Sequence, residues 1–249
     1  MRQAIETFLS PPVATAAPAS ASSEDAVTQI VEEHDEAGRL AGRASMIAGV
    51  PHGESTRYAP DGTLLLQANF AHGALNGPLR SFDEQGVPLQ HAHYLNGKAH
   101  GVVTVYQEGC LAARQHYVHG VLHGESVSYA PSGLVTSRMT YEAGKLDREA
   151  LFMTDGVIVR RMNYRLGLLE GETREYARDG ALVQSSPYRA NLLHGTIRRF
   201  APDGSVIEER AFQQGKPQGE WRKVDAAPAP GSAPAAPRLV KHFEKWVRG

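Results

Sequence analysis

Cysteine is almost absent from this chain, since Cys110 is the only one among 249 residues. An intrachain disulfide is therefore excluded, and packing and hydrogen bonds must hold the fold together. An excess of charge of either sign is also lacking, with 26 basic and 27 acidic residues. No overall field favours nucleic acid or an anionic membrane as a ligand. No apolar run reaches the length of about 18 residues that predicts a membrane-spanning helix.

A secretory signal is also missing from the sequence pattern. Residues 1–20 contain only three large apolar side chains, Ile5, Phe8 and Leu9, and no continuous apolar core. Together with the single cysteine, this predicts a cytoplasmic protein. Tryptophan is scarce, with Trp221 and Trp246 only. That scarcity disfavours a carbohydrate-binding or cell-wall-binding protein, which needs exposed tryptophans and export.

Glycine, in contrast, recurs at regular intervals. Three glycine series advance in steps of 23 or 24 residues, and Asn191 replaces one member of the third series. Because Asn tolerates a positive φ angle better than other non-glycine residues, the replacement predicts a left-handed backbone there. The first series consists of Gly53, Gly77, Gly101, Gly124, Arg148 in the place of a glycine, Gly171, Gly195 and Gly219.

Aromatic residues form two further columns in the same repeat. The second column is aromatic in all seven repeats: Phe70, Tyr94, Tyr117, Tyr141, Tyr164, Tyr188 and Phe212. Turn sequences such as APDG, DEQG and ARDG separate two short apolar stretches in each repeat. Short strands with glycine turns every 10–13 residues predict an antiparallel β-meander of stacked hairpins. We expect the rings of successive repeats to pack on one another.

The stretches YLNGKAHGVVTVY, YVHGVLHGESVSY and YEAGKLDREALFM resemble the MORN repeat in its bacterial variant form. The resemblance covers residues 50–221 and implies an elongated, single-layer antiparallel sheet. MORN segments serve as scaffolds for membrane attachment, dimerisation or protein binding. Many stand-alone bacterial variants are described as antitoxin-like, and some resemble immunity or chaperone partners of secreted toxins. The fifth repeat departs from the pattern, with Arg148 and Met153, which indicates a distorted first strand or a contact site.

The predicted organisation has five parts. These are a flexible N-terminal segment (1–25), a short helix and degenerate repeat (26–49), seven hairpin repeats (50–221), a Pro/Ala linker (222–237) and an amphipathic C-terminal helix (238–249). The N-terminal helix would be capped by Ser22 or Ser23. In the C-terminal helix, Phe243 and Trp246 belong to an apolar stripe flanked by basic residues. This helix can dock on its own sheet, in a groove of a partner, or on an anionic membrane.

Most histidines and many glutamates recur at fixed positions of the repeat, and the histidines, Cys110 and glutamates do not form a catalytic set. His91, His93 and His116 make the best zinc-like cluster, yet no Cys, Asp or Glu completes it in sequence. No family motif supports Cys110 as a nucleophile. A recurrent glutamate is predicted to form a solvated column: Glu54, Glu125, Glu149, Glu172 and Glu220. We therefore expect no enzyme activity, no cofactor and no metal.

The sequence predicts a non-catalytic scaffold that binds another bacterial protein, as an immunity, antitoxin or chaperone-like partner of a secreted toxin. A peripheral membrane or phospholipid scaffold is the alternative, resting on the C-terminal helix. Arg160, Arg161, Arg198 and Arg199 are candidates for a basic stripe. The predicted partner-binding residues are Tyr94, Tyr117, Tyr141, Tyr164, Tyr188, Arg160, Arg198, Phe243 and Trp246.

Overall fold

A computed structural model describes residues 27–224. Every regular element in this range is a β-strand, and all of them belong to one sheet. The strands are β1 Thr28–His34, β2 Leu40–Ile47, β3 Val50–Tyr58, β4 Leu64–Ala71, β5 Ala74–Phe82, β6 Pro88–Leu95, β7 Lys98–Ala99, β8 Gly101–Gln107, β9 Cys110–Val118, β10 Val121–Tyr129, β11 Val135–Glu142, β12 Lys145–Leu146, β13 Arg148–Thr154, β14 Val157–Arg165, β15 Leu168–Leu169, β16 Gly171–Tyr176, β17 Leu182–Arg189, β18 Leu192–Leu193, β19 Gly195–Phe200, β20 Val206–Gln213 and β21 Lys216–Lys223.

Strands pair antiparallel in chain order, from β1 at one edge to β21 at the other. The two-residue strands β7, β12, β15 and β18 continue into β8, β13, β16 and β19 and pair with the same neighbour. The prediction of an all-β, open antiparallel meander is therefore confirmed. No helix among residues 27–224 is long and apolar enough to cross a membrane.

The predicted N-terminal helix is wrong where the structure describes it. Residues Thr28–His34 form edge strand β1, in which Ile30 pairs with Ser45 and Glu32 with Arg43. Three of its seven residues are β-branched, which favours extended backbone over helix. The linker prediction also begins too early, because β21 runs to Lys223. The predicted flexible segment 1–25 and the predicted C-terminal helix 238–249 lie outside the described residues.

One kind of turn follows the first strand of most repeats. In its first example, Gly62 N–H donates to the Ala59 carbonyl and Ala59 N–H to the Thr63 carbonyl, at 2.9 and 2.8 Å. The Asp61 carboxylate accepts from Thr63 N–H at 2.9 Å, which is the local bond that makes Asp a turn residue. Two repeats use a two-residue turn instead, Glu108–Gly109 and Asp155–Gly156. These are the repeats that step by 23 residues.

A second turn joins each repeat to the next and also ties it to the repeat before. Gly97 N–H donates to the Leu75 carbonyl at 2.7 Å, and Gly144 N–H to the Leu122 carbonyl at 2.8 Å. Asn191 has φ +68° and makes the same bond to the Leu169 carbonyl at 3.0 Å. Its side-chain oxygen also accepts from Leu169 N–H at 2.6 Å. The left-handed backbone predicted for Asn191 is confirmed.

The first glycine series lies at a β-bulge. Between Leu79↔Ala68 and Leu75↔Phe70, three residues of β5 face one residue of β4. Gly195 occupies this slot with φ +120°, and a Cβ added there would stand 2.9 Å from Pro187 Cγ. Gly101 has φ +85°, with nothing within 4 Å of an added Cβ. The slot therefore always demands positive φ, and at Gly195 it demands space as well.

Most buried apolar side chains lie along one face of the sheet. At their centre is a cluster of Leu66, Ala68, Phe70 and Leu79, with Leu75 and Tyr94 packed against it. Phe70 pairs across strands with Leu75, and Tyr94 with Ala99. Two strand spacings of about 4.8 Å separate rings of successive repeats. The expected packing of ring on ring is therefore replaced by a row that alternates aromatic and smaller apolar side chains.

Gly101→Ala and Gly195→Ala separate the cost of a positive φ angle from the cost of a steric clash at the bulge. We expect Gly101→Ala to lower stability by about 1–2 kcal/mol through positive φ alone. Gly195→Ala should lose about 1–3 kcal/mol more, because the Pro187 ring cannot move aside. Urea unfolding followed by circular dichroism measures both. Equal losses would show that the contact with Pro187 contributes nothing.

Asp203 should stabilise its turn in a pH-dependent way. Hydrogen bonds from the Ser205 hydroxyl and amide, at 2.7 and 2.9 Å, lower the pKa of the Asp203 carboxyl below 3.8. A lowered folded pKa gives stability that is present above pH 3.8 and lost as pH falls through the folded pKa. We expect Asp203→Ala to lower the urea midpoint at neutral pH, with the gap closing below pH 3.8. Ser205→Ala is the control and should raise the carboxyl pKa measured by NMR.

Candidate binding surface

The sheet presents two faces, because side chains alternate along each strand and paired residues point to the same side. The tyrosine face carries the second aromatic column, in which Phe70 pairs with Gly53 and Tyr94 with Gly77. The arginine face carries the intervening residues, such as Arg80, which pairs with Gln67 and His91. Each predicted binding residue between 27 and 224 can therefore be assigned to one side.

Five predicted binding residues share the tyrosine face: Tyr94, Tyr117, Tyr141, Tyr164 and Tyr188. Burial raises the pKa of the Tyr94 hydroxyl, and neighbouring Tyr117 adds to the effect. Burial likewise raises the pKa of Tyr164, which senses both Tyr141 and Tyr188. The tyrosines that act on Tyr94 and Tyr164 belong to the same column.

Arg160 lies on the tyrosine face beside a depression of about 370 Å³. Its guanidinium is 3.2 Å from the Glu175 carboxylate on the paired strand. Phe152 pairs with Arg160 on the other side. The depression is lined by Phe152, Val159, Arg160, Glu175, Tyr176 and Val183. It presents one ion pair surrounded by apolar side chains.

The predicted basic stripe is divided between the two faces. Arg160 and Arg199 point to the tyrosine face, where Arg199 contacts Glu208 at 2.9 Å and covers the Trp221 ring at 4.1 Å. Arg161 and Arg198 point to the other face. Adjacent arginines in sequence alternate sides in a strand, so four cannot form one stripe. Phe243 and Trp246 lie outside the described residues.

The arginine face carries a row that the sequence analysis did not find. Seventeen strand lines make up the sheet: each is one strand, and the two-residue strands β7, β12, β15 and β18 count with the strands that follow them. Each strand line contributes one residue to the row, and each member pairs with the next across the sheet. Eight members are arginine and none is lysine. In spatial order the row is Glu32, Arg43, Thr56, Gln67, Arg80, His91, Thr104, Arg114, Val127, Arg138, Leu151, Arg161, Arg174, Ser185, Arg198, Glu209 and Arg222.

Most arginines of the row have a glutamate partner. Arg138 lies 3.2 Å from Glu125, Arg161 3.2 Å from Glu149, and Arg174 2.6 Å from Glu172. These three glutamates belong to the column that the sequence predicted to be solvated. That interpretation was incomplete, because their carboxylates also neutralise the arginine row.

The remaining paired arginines lie near the edges of the sheet. Arg43 is 3.8 Å from Glu32, and Arg198 is 3.7 Å from Glu209. Glu209 also contacts Arg222, whose hydrogen bond lowers the pKa of the Glu209 carboxyl. These exposed pairs contribute little to stability. At one end of the row Glu32 pairs with Arg43, and at the other end Arg198 and Arg222 share Glu209.

Arg80 and Arg114 differ from the other arginines of the row. Neither has an acidic partner within 4.0 Å among residues 27–224. His91 lies between them in the row, with its ring 6.4 Å from Phe82 and 5.2 Å from Tyr106. Two unneutralised guanidinium groups therefore flank a cluster of rings.

The predicted histidine cluster does not form. His91 contacts Tyr106, with 3.4 Å between Nδ1 and the hydroxyl, whereas His116 donates from Nδ1 to the His123 carbonyl at 2.7 Å. Within the described range, no three His, Cys, Asp or Glu side chains group as metal ligands. Cys110 is exposed beside its turn. Histidine rings do meet in two pairs, His52–His72 and His100–His119, at 5.1 and 5.2 Å.

Arg148 keeps the backbone of the glycine that it replaces. Its φ is +69°, and its side chain is 78% exposed, with Nε 4.0 Å from the Asp147 carboxylate. The interruption of the strand before Arg148 also occurs before Gly101, Gly171 and Gly195. The fifth repeat is therefore strained at one residue and otherwise has the geometry of its neighbours.

Comparison with known proteins gives one family match. The family described as MORN repeat variant matches residues 51–72, which cover one repeat from β3 to the turn after β4. The resemblance to this repeat is thus confirmed there, whereas the antitoxin or immunity subfamily stays a prediction. Curated proteins show no match to the chain.

A solved structure shows a weaker likeness. The chain is similar to one in the crystal structure of TcdB2-TccC3, at 12% identity over 73% of this chain and 16% of that chain, with a TM-score of 0.17. This chain therefore spans 16% of the other protein's length. A TM-score of this size carries no argument about function.

Arg148→Gly should stabilise the protein. Relief of the left-handed strain, about 1–3 kcal/mol, outweighs the extra chain entropy of glycine, about 0.5–1 kcal/mol. We expect a net gain of about 1 kcal/mol in urea unfolding. The control Arg165→Gly, at an exposed strand position, should instead lose stability. A loss at both positions would show that Arg148 makes contacts worth more than its strain.

Proposed function

We propose that the protein is a non-catalytic scaffold that binds another protein along its sheet. The observation that carries this proposal is the register: every strand line adds one residue to each row, on both faces. At about 4.8 Å per strand, seventeen strand lines place row members at fixed intervals over roughly 75 Å. A rigid, extended array of side chains suits a large partner rather than a small molecule.

The distribution of perturbed groups supports a non-catalytic role. An active site brings groups with shifted pKa values together in a cleft. In residues 27–224, the shifted carboxyls belong to turn aspartates and to Glu209, which an arginine binds. The shifted tyrosines, Tyr94 and Tyr164, are explained first by burial. None of these groups lines the depression beside Arg160 or the depression beside Arg114.

The partner that we propose is a bacterial protein, such as a secreted toxin, with this chain as its immunity, antitoxin or chaperone-like companion. The support is the resemblance to the bacterial variant of the MORN repeat. Tyr94, Tyr117, Tyr141, Tyr164 and Tyr188 would supply ring edges on one face, and Arg160 a charge beside them. Arg198 would act on the opposite face, so a partner touching all of them must wrap around the sheet or use two contact regions.

Affinity capture tests the proposal. The full chain, tagged and cross-linked in its native host, should retain a stoichiometric protein partner identified by mass spectrometry. Protection of sheet amides from hydrogen exchange by the purified partner should extend over several repeats. Capture of no protein, together with flotation of the chain on vesicles of phosphatidylglycerol and phosphatidylethanolamine, would replace the proposal with a membrane scaffold. Loss of that flotation in Phe243→Ala/Trp246→Ala would place the membrane contact at the C-terminal segment.

A further inference from the structure

Carboxylates are absent from a block of neighbouring strands. Strands β5 to β9 contain no Asp or Glu, and the acidic residues between 74 and 118 are Asp83, Glu84 and Glu108, all in turns. The arginine face of this block carries Arg80, His91, His93, Arg114 and His116. We call these five residues, together with the Phe82 and Tyr106 rings, the basic patch.

The patch is bounded by glutamates on both sides. Glu54 on β3 accepts a hydrogen bond from Gln67, and Glu125 on β10 lies 3.2 Å from Arg138. Beyond these residues, the arginines of the row have carboxylate partners. Within the patch, Arg80 and Arg114 have no such partner among the described residues. Arg80 and Arg114 are thus the arginines of the row without a carboxylate partner in the described range.

The shape of the patch suits a ligand with carboxylates at both ends. The His91 ring contacts the Phe82 and Tyr106 rings, and this ring cluster lies beside the two arginines. Arg114 and His116 line a depression of about 460 Å³, whose lining also includes Val127, only 6% exposed, and the Glu125–Arg138 ion pair. A guanidinium binds a carboxylate with two parallel hydrogen bonds, which a lysine ammonium cannot do.

We propose that the basic patch binds a short acidic segment of the partner protein, with one carboxylate on Arg80 and a second on Arg114. This inference rests on the proposed protein-binding function and names the chemistry of the contact. The two arginines lie three strand spacings apart, about 14 Å. An extended peptide advances about 3.3 Å per residue. The segment therefore carries its acidic residues at positions i and i+4, with side chains between them resting on the rings.

The same boundaries disfavour a long polyanion or a charged lipid surface. A nucleic-acid strand following the row would leave the patch within about two strands and meet Glu54 or Glu125. A membrane would contact the whole face, where the glutamates of repeats four to six lie beside the arginines. A ligand confined to the block from β5 to β9 does not reach Glu54, and the Glu125 carboxylate beside Arg114 is paired with Arg138.

An NMR titration of the isotope-labelled full chain tests the proposal. The probe is the peptide acetyl-Ser-Glu-Ser-Tyr-Ser-Glu-Ser-amide, compared with peptides that carry Gln for Glu or place the glutamates at i and i+2. We expect the Nε–H signals of Arg80 and Arg114 to shift with the first peptide and those of Arg161 and Arg174 to stay. R80Q and R114Q should each weaken binding about tenfold. The control R161Q/R174Q removes the same total charge as R80Q/R114Q and should change affinity less than about threefold.

Each outcome of the titration has one meaning. Equal weakening in R80Q/R114Q and R161Q/R174Q, or equal affinity for both glutamate spacings, overturns the proposal in favour of unspecific charge attraction. Binding of a twelve-nucleotide oligonucleotide or of phosphatidylglycerol vesicles that R80Q/R114Q abolishes, without binding of the peptide, also overturns it. Thermal melts check that every variant is folded. If R80Q/R114Q captures the cross-linked partner as well as the natural chain does, the protein binds a partner but the basic patch is not the contact. The proposed function would then stand, and the proposal about the patch would be wrong.

Discussion

The interaction on which the rest of the structure depends is the contact between an aromatic side chain and the apolar side chain on the next strand. Phe70 with Leu75 and Tyr94 with Ala99 are examples. A sheet with no second layer among its described residues must bury apolar surface between its own neighbouring strands. Each such pair contributes a fraction of a kilocalorie to about 1 kcal/mol, so stability accumulates along the series of repeats. The bulge opposite each aromatic residue preserves this register from one hairpin to the next.

Repetition made the fold readable from the sequence. A positive φ at Asn191 followed from its place in a glycine series, and the turns followed from their Asp and Gly residues. Strand β1 was misjudged because its apolar positions, Ile30 and Val31, fit a short helix as well as a strand. Pairing with β2 decides the conformation of β1, and no local pattern contains that information.

The arginine row was hidden for a different reason. Its members lie five residues after the turn glycine of one strand and three residues after the bulge glycine of the next, as with Gln67 after Gly62 and Arg80 after Gly77. Only the bulge aligns these positions. Recurrence of single residue types revealed the columns of tyrosine and glutamate. The row instead mixes Arg, His, Thr and Val, and its members share only their place in the hydrogen-bonded register.

The bonds from turn amides to the preceding repeat, such as Gly97 to Leu75, have a consequence for how such a molecule changes over evolutionary time. Because each bond spans one unit, duplication or loss of a whole unit leaves every remaining bond intact. The distance between two residues of a row can therefore change only in steps of one hairpin. A hairpin inserted between β6 and β8 would increase the distance between Arg80 and Arg114 by about 10 Å. The row would then match a ligand whose charges are farther apart.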